Sequence, residues 1–313
     1  MLYRSNGKLL LTGEYAVLDG ALSLAIPTKF GQSLKVETIE DPKIIWESLD
    51  EKGLVWFESS ISINEITTLQ LRLVQAKQSV PNNDVSNRLI QILSTVKALN
   101  PNFLNKKNGY KVTTKLDFPR TWGLGTSSTL INNIAQWAKV DAYKLLELTF
   151  GGSGYDIACA KHNMPISYQL LSKDDFAKRN IKEVDFRPSF KEHIFFVYLN
   201  RKQNSRDGIK HYHANKENSK SAITEIDSIT NQITSCNSLA IFEDLITKHE
   251  NIIGKLTKQK PIKDLFFNDF EGGIKSLGAW GGDFILVTSK ANPASYFKNK
   301  GYNTIIPYKD MVL

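Results

Sequence analysis

Trp122-Gly123-Leu124-Gly125-Thr126-Ser127-Ser128 joins a strand-like stretch, Tyr110 to Leu116, to a helical pattern, Leu130 to Val140. Two glycines allow a tight turn and a close approach of backbone to a ligand. The hydroxyl residues stand where a helix begins. Free N–H groups and the positive end of the helix dipole meet there, which suits an anion and a phosphate above all. The run is not a P-loop, because no lysine follows Gly125. Taken alone it reads equally well as a glycine turn with a hydroxyl N-cap.

Three further segments bear on the choice. Gly7-Lys8-Leu9-Leu10-Leu11-Thr12-Gly13-Glu14-Tyr15 puts a lysine at the start of an apolar strand and a carboxylate just after it. A lysine entering a buried strand is costly unless it is paired or reaches solvent with its tip. Gly151-Gly152-Ser153-Gly154-Tyr155-Asp156-Ile157-Ala158 crowds glycines around an aspartate at a helix start. Asp156 there is either a first-turn acid or a carboxylate able to take a proton from a hydroxyl. Gly272-Gly273-Ile274-Lys275-Ser276-Leu277-Gly278-Ala279-Trp280-Gly281-Gly282-Asp283 precedes an apolar strand, and its glycine density marks close backbone approach.

In this order the four segments resemble the GHMP small-molecule kinases, and the resemblance covers nearly the whole chain. The string Gly154-Tyr155-Asp156-Ile157-Ala158 resembles a bacterial subgroup known by those five letters. The closest likeness in motifs is to mevalonate and phosphomevalonate kinases. The resemblance implies an α+β fold of two domains. The first, 1–188, is similar to ribosomal protein S5 domain 2, and the second, 189–313, is ferredoxin-like. It implies ATP bound by Gly123, Leu124, Gly125, Thr126, Ser127 and Ser128. Ser127 matches the family's magnesium-binding serine, Asp156 its catalytic aspartate, Lys8 its catalytic lysine, and Glu14 a glutamate that pairs with that lysine. Ser153, Gly278, Ala279 and Ser205 are carried over with Glu14 as substrate-binding residues. The family's magnesium-binding glutamate has one candidate, Glu147, because Ser127 and Asp156 stand only 29 positions apart. Trp280 replaces a glycine of the C-terminal motif, which is expected to narrow the nucleotide or acceptor cleft. Tyr15 stands where the family often has histidine. ATP and Mg2+ are the implied cofactors.

Those roles agree with the chemistry. Phosphoryl transfer needs positioning and charge stabilisation more than covalent help. Magnesium takes oxygen ligands and keeps waters, so a hydroxyl and a carboxylate suffice. An ammonium beside an acceptor hydroxyl favours its alkoxide.

The rest of the chain bounds the reading. Its 313 residues suit two domains, and 41% hydrophobic with 23% charged residues is the balance of a soluble globular protein. No apolar run approaches the roughly 20 residues of a membrane span, and no signal peptide is evident. Cys159 and Cys236 form no metal or disulfide pattern. A cytoplasmic setting is expected, with a small-molecule substrate, no nucleic acid and no membrane as partners; a homodimer is allowed for. The net charge of +8 is scattered, without interleaved aromatics. Helices are expected over Asn87 to Leu99, Ala142 to Leu148 with Asp141 as N-cap, Ala222 to Ile233 and Leu239 to Lys255. Strands are expected over Ala21 to Ile26, Gln32 to Thr38, Leu54 to Glu58, Ile166 to Leu171, His193 to Leu199 and Phe284 to Thr288. Ser172 to Lys182 reads as a surface loop. His211-Tyr212-His213 reads as strand alternation with both histidines on one side.

The sequence supports an ATP- and magnesium-dependent kinase acting on a small hydroxylated or phosphorylated metabolite. Mevalonate or phosphomevalonate is the first expectation. Rival readings are a decarboxylase of the same fold acting on a diphosphorylated mevalonate, a silent homologue that binds nucleotide or protein, and an RNA-binding protein of S5-like fold.

Overall fold

The computed structural model describes residues 1–68, 85–104, 108–172, 178–201, 205–214, 219–278, 280 and 282–313. Ala279 lies outside them, as do the side chains of 205–207, so the expectations for Ala279 and for the Ser205 hydroxyl fall outside the described structure. Two strands open the chain, β1 (Leu2–Leu10) and β2 (Ser23–Ile39). β2 is continuous for 17 residues, where two separate strands are expected from the sequence. The intervening Pro27 and Gly31 do not break it; both stay extended, and their carbonyls accept from Leu313 N–H at 3.2 Å and Asp117 N–H at 3.0 Å.

The chain divides into two compact units that interleave in sequence. The first comprises Met1–Gly7, Phe30–Arg120 and Gly125–Lys161. Here β3 (Lys43–Leu49) pairs antiparallel with β4 (Val55–Ser62) and parallel with β5 (Gly109–Leu116). β5 pairs antiparallel with the distal part of β2, from Gln32 opposite Leu116 to Ile39 opposite Gly109. Helices accompanying this sheet include α1 (Val85–Leu99), α2 (Thr126–Ala138), α3 (Ala142–Thr149) and α4 (Tyr155–Lys161). Period-2 residues Ile44, Trp46, Leu34, Val36 and Val112 meet helical-period residues Leu89, Leu93, Val96, Ile131 and Ile134 in one buried core. Asp141 caps α3 as expected, its side chain accepting the Lys144 N–H at 2.9 Å.

The second unit comprises Lys8–Lys29, Thr121–Leu124 and His162–Leu313. Within it the proximal end of β2 pairs antiparallel with β6 (Ile166–Leu170), and β6 with β7 (Arg179–Glu183). β7 lies where a loop is expected. Its residues are largely solvated, so it has no apolar alternation to betray it. A second, antiparallel sheet has the order β11-β8-β10-β9, from β8 (Ile194–Tyr198), β9 (Ile274–Leu277), β10 (Phe284–Thr288) and β11 (Ile305–Pro307). Its helices include α5 (Ser205–Ala214), α6 (Ser219–Thr234) and α7 (Leu239–Thr257). The segment 211–213 is thus helical, not a strand. Tyr212 is buried and both histidines are exposed, so the triplet offers no shared histidine face. Among the described residues no group of three or more His, Cys, Asp and Glu is placed to hold a metal ion, and no helix is long and apolar enough to cross a membrane.

Candidate active site

In the first unit, the start of α2 is capped by Gly125 itself, in the left-handed region at φ 95°, and no side chain closes the helix end. The hydroxyl N-cap is therefore absent. Ser128 Oγ instead donates back to Gly125 O at 2.9 Å, and Thr129 N–H makes the first intrahelical bond to that oxygen at 3.0 Å. The N–H groups of Thr126, Ser127 and Ser128 have no acceptor within the helix, and Ser127 is exposed beside them. A 13-residue helix ending in free donors presents partial positive charge to an anion.

Buried polar contacts fix this helix. Ser5 Oγ donates to Asn133 Oδ1 at 2.7 Å, Asn132 Nδ2 donates to Ser5 Oγ at 2.9 Å, and Asn133 Nδ2 donates to Gln32 O at 2.9 Å. Thr129 Oγ1 lies 2.8 Å from Gln32 Oε1. Asn132 Nδ2 also reaches Ala160 O at 3.5 Å, which ties α2 to the end of α4. Asp156 is the second residue of α4, half-buried, with Oδ1 accepting its neighbour's N–H, from Ile157, at 3.1 Å. Gly151, Gly152 and Gly154 before it all have positive φ, which explains the glycine density there. Ser153 is buried among them. Glu147 is exposed on α3 and both its oxygens lie 3.1 Å from Lys144 Nζ. Cys159 is a fully buried helix residue, as its small size suggests.

In the second unit, the Lys8 N–H donates to Leu124 O at 2.9 Å, so the lysine strand and the glycine loop share a backbone bond. Lys8 Nζ lies 4.0 Å from where a β-carbon on Gly278 would stand, and Gly278 turns with φ 71°. Gly123 also has positive φ, and a β-carbon there would collide with the Asp283 carboxylate. Asp283 itself holds φ 51°, a conformation that costs a non-glycine residue free energy.

Glu14 is a correction. Lys8 is its expected partner, yet its Oε1 accepts from Lys275 Nζ at 2.5 Å, with both side chains fully buried. Lys275 also reaches Glu250 Oε1 at 3.3 Å and Ser276 O at 3.0 Å, and Ser276 Oγ donates to Glu250 Oε2 at 3.0 Å. His249 Nε2 accepts the Gly13 N–H at 2.9 Å. Burial pushes the Glu14 carboxyl up to about 7, with Lys275 opposing and Glu250 adding. Burial likewise raises Glu250, and burial with the Lys275 charge holds His249 well below its usual range. The imidazole is therefore neutral. Sequence reasoning missed Lys275, Glu250 and His249; the only local signal was a lysine and a serine inside an otherwise apolar strand.

Trp280 is a second correction. Its indole is 5% exposed and packs with Tyr15, Tyr212, Ile226, Ile253 and Leu256 in the core of this unit. At Gly254 of α7 a β-carbon would meet the Gln259 carbonyl oxygen at 2.8 Å and the Trp280 indole at 3.2 Å, so the small residue suits the close packing there.

No family model matches the chain. It is 22% identical over 302 residues, 92% of its length and 91% of the relative's, to a protein described as mevalonate kinase from Methanocaldococcus jannaschii. The crystal structure of Methanococcus jannaschii mevalonate kinase superposes with TM-score 0.70 at 17% identity, covering 98% of this chain and 96% of that one. Streptococcus pneumoniae phosphomevalonate kinase, solved with phosphomevalonate and AMPPNP, superposes with TM-score 0.69 at 16% identity, covering 96% and 95%. The chain therefore has the α+β fold of the GHMP small-molecule kinases.

Proposed function

We propose that this protein transfers the γ-phosphate of ATP to a hydroxyl or phosphate of a small metabolite, with mevalonate or phosphomevalonate as the first candidates. The open start of α2 carries the reading. Three N–H groups with no acceptor within the helix, a helix dipole and an exposed serine suit a phosphate held by backbone. Two relatives point to the acceptor class: one is described as a mevalonate kinase and the other was solved with phosphomevalonate. The division into domains 1–188 and 189–313 belongs to the same proposal. It draws support from the second sheet, whose four strands all follow residue 189.

Each residue then has a task. Gly123 to Ser128 hold the phosphates. Asp156 takes the proton of the acceptor hydroxyl, and the Lys8 ammonium favours its alkoxide. Ser127, an exposed neutral oxygen at a helix start, suits a magnesium ligand. Glu147 fits as its carboxylate partner only after releasing Lys144. Magnesium, when bound, neutralises phosphate charge. Gly278 leaves room beside Lys8 for the acceptor.

The test is ADP release over a panel of mevalonate, phosphomevalonate, homoserine and sugars, with carbon dioxide measured alongside. ADP with one acceptor and no carbon dioxide supports the kinase. Carbon dioxide would favour the decarboxylase rival, against which Lys8 argues. The Glu147–Lys144 pair is the observation favouring a silent nucleotide-binding homologue, and nucleotide binding without turnover would support that reading.

A further inference from the structure

The Lys275 cluster lies outside the residues given a task above. It comprises two carboxylates, one ammonium and one imidazole, with Lys275 and His249 fully buried, Glu14 1% exposed and Glu250 2% exposed. The groups facing Glu14 are Lys275 from β9, His249 and Glu250 from α7, and Tyr15 from its own turn. A buried lysine against two ionised carboxylates leaves an excess negative charge, which a site without water does not tolerate. The geometry shows where a compensating proton fits. Glu14 Oε1 is taken by Lys275, while Oε2 has no hydrogen-bond partner and lies 3.5 Å from His249 Nε2. That nitrogen already accepts from Gly13, so it carries no proton to donate to the carboxyl oxygen. Oε2 thus has no donor facing it in a buried site, which favours the neutral, protonated form of the carboxyl over the ionised one.

We propose that Lys275, Glu14, Glu250 and His249 form one proton-holding clamp, with its proton on Glu14 Oε2, and that Lys275 acts through it as a positioning residue for Lys8. The clamp joins two turns. Glu14 and Gly13 belong to the turn that follows the Lys8 strand, and Lys275 stands three residues before Gly278, whose backbone lies beside Lys8 Nζ. With the proton in place the cluster is neutral and both turns are held. Loss of the proton leaves a buried negative charge that loosens them. The elevated position of the Glu14 carboxyl near neutrality agrees with this arrangement.

The positioning role rests on the kinase reading; the proton does not. The decisive variant is Glu250→Gln, nearly isosteric, which removes the excess charge and lets Glu14 ionise against Lys275. The melting temperature of the wild-type protein is measured from pH 5 to 9, and kcat over the same range with the acceptor the panel identifies. Infrared spectra on pH change read a protonated buried carboxyl directly. The clamp requires that Glu250→Gln move the midpoint of both profiles down by one pH unit or more, and that Glu14→Gln abolish that midpoint. A merely structural Glu250 would lower the melting temperature equally at every pH, and that result overturns the clamp, as does the absence of a protonated carboxyl band at pH 6. If ADP is released but the midpoint stays fixed, the clamp fails and the kinase reading stands. If the stability midpoint shifts but no acceptor releases ADP, the kinase reading fails and the proton-holding cluster stands without its catalytic purpose.

Discussion

The Tyr15 hydroxyl accepts the Trp280 N–H at 3.0 Å, joining the turn after β1 to the turn after β9. The same ring lies 6.1 Å from Tyr212 in a stacked arrangement, and Gly208 of α5 leaves room for it, since a β-carbon there would collide with the hydroxyl. The two departures from the family pattern, Tyr15 and Trp280, are thus partners. Trp280→Gly should destabilise by about 3–5 kcal/mol through the cavity it leaves. Tyr15→Phe should cost about 1–2 kcal/mol by stranding a buried N–H. Urea titrations of both variants check this, with acceptor selectivity unchanged in whatever Trp280→Gly protein remains folded.

Ser127→Ala removes one exposed hydroxyl from a helix end and no buried contact. Its melting temperature should stay within about 0.5 kcal/mol equivalent of wild type. Magnesium-dependent turnover should fall, and more magnesium should be needed to reach half-maximal rate. Unaltered magnesium dependence would remove Ser127 from the metal site.

Asp156→Asn keeps the size of the side chain and an oxygen able to accept the Ile157 N–H. As a lost general base it should lower kcat by about 10²–10⁴-fold, with ATP affinity little changed. Lys8→Met should be comparably severe, and the double variant less than additive, since both act on one proton. Full activity in Asp156→Asn would reduce Asp156 to a first-turn acid.

Two buried groups should oppose each other in the pH dependence of stability. Glu14 titrates near 4.5 when unfolded and about 7 when folded. The stability it confers is full below pH 4.5 and is lost as pH rises through 7. His249 titrates near 6.5 unfolded and well below that when folded, so its contribution is present above 6.5 and lost on acidification. Between about pH 5 and 6.5 the His249 slope opposes that of Glu14, each at most roughly 1.4 kcal/mol per pH unit, and Glu250, also raised by burial, adds to Glu14; above 6.5 the carboxyl loss alone remains, which is where the midpoint of the clamp is read. His249→Gln keeps an acceptor for the Gly13 N–H and should expose the Glu14 slope over that whole range. Denaturant titrations at half-unit pH steps read it out.

Local pattern made much of this legible. The strand Phe284–Thr288, the buried face of α1 and the Asp141 cap each depend on residues within a few positions of one another. β3 escaped the sequence reading: Ile45 and Leu49 stand on its half-buried face and Ser48 on its buried one, so Lys43 to Leu49 shows no clean apolar–polar period. β7 was not legible, because an edge strand solvated along much of its length needs no apolar period. The Glu14–Lys275 pair spans 261 positions, and no spacing rule connects them. Trp280 was misread for the same reason: the glycine motif showed what it replaces, but not the Tyr15, Gly208 and Gly254 that accommodate it.

The interleaved units set an order of events during synthesis. Residues 8–29 leave the ribosome early but belong with 162–313. Glu14 must wait for Lys275, which at typical elongation rates of about 5–20 residues per second arrives on the order of 10 seconds or more later. Until then the apolar run Leu9-Leu10-Leu11, buried in the finished protein, has only nearby chain such as Leu24, whose carbonyl accepts the Leu11 N–H at 2.7 Å. Completion of the second unit is therefore late, and residues 8–29 are a segment on which a chaperone has a long time to act.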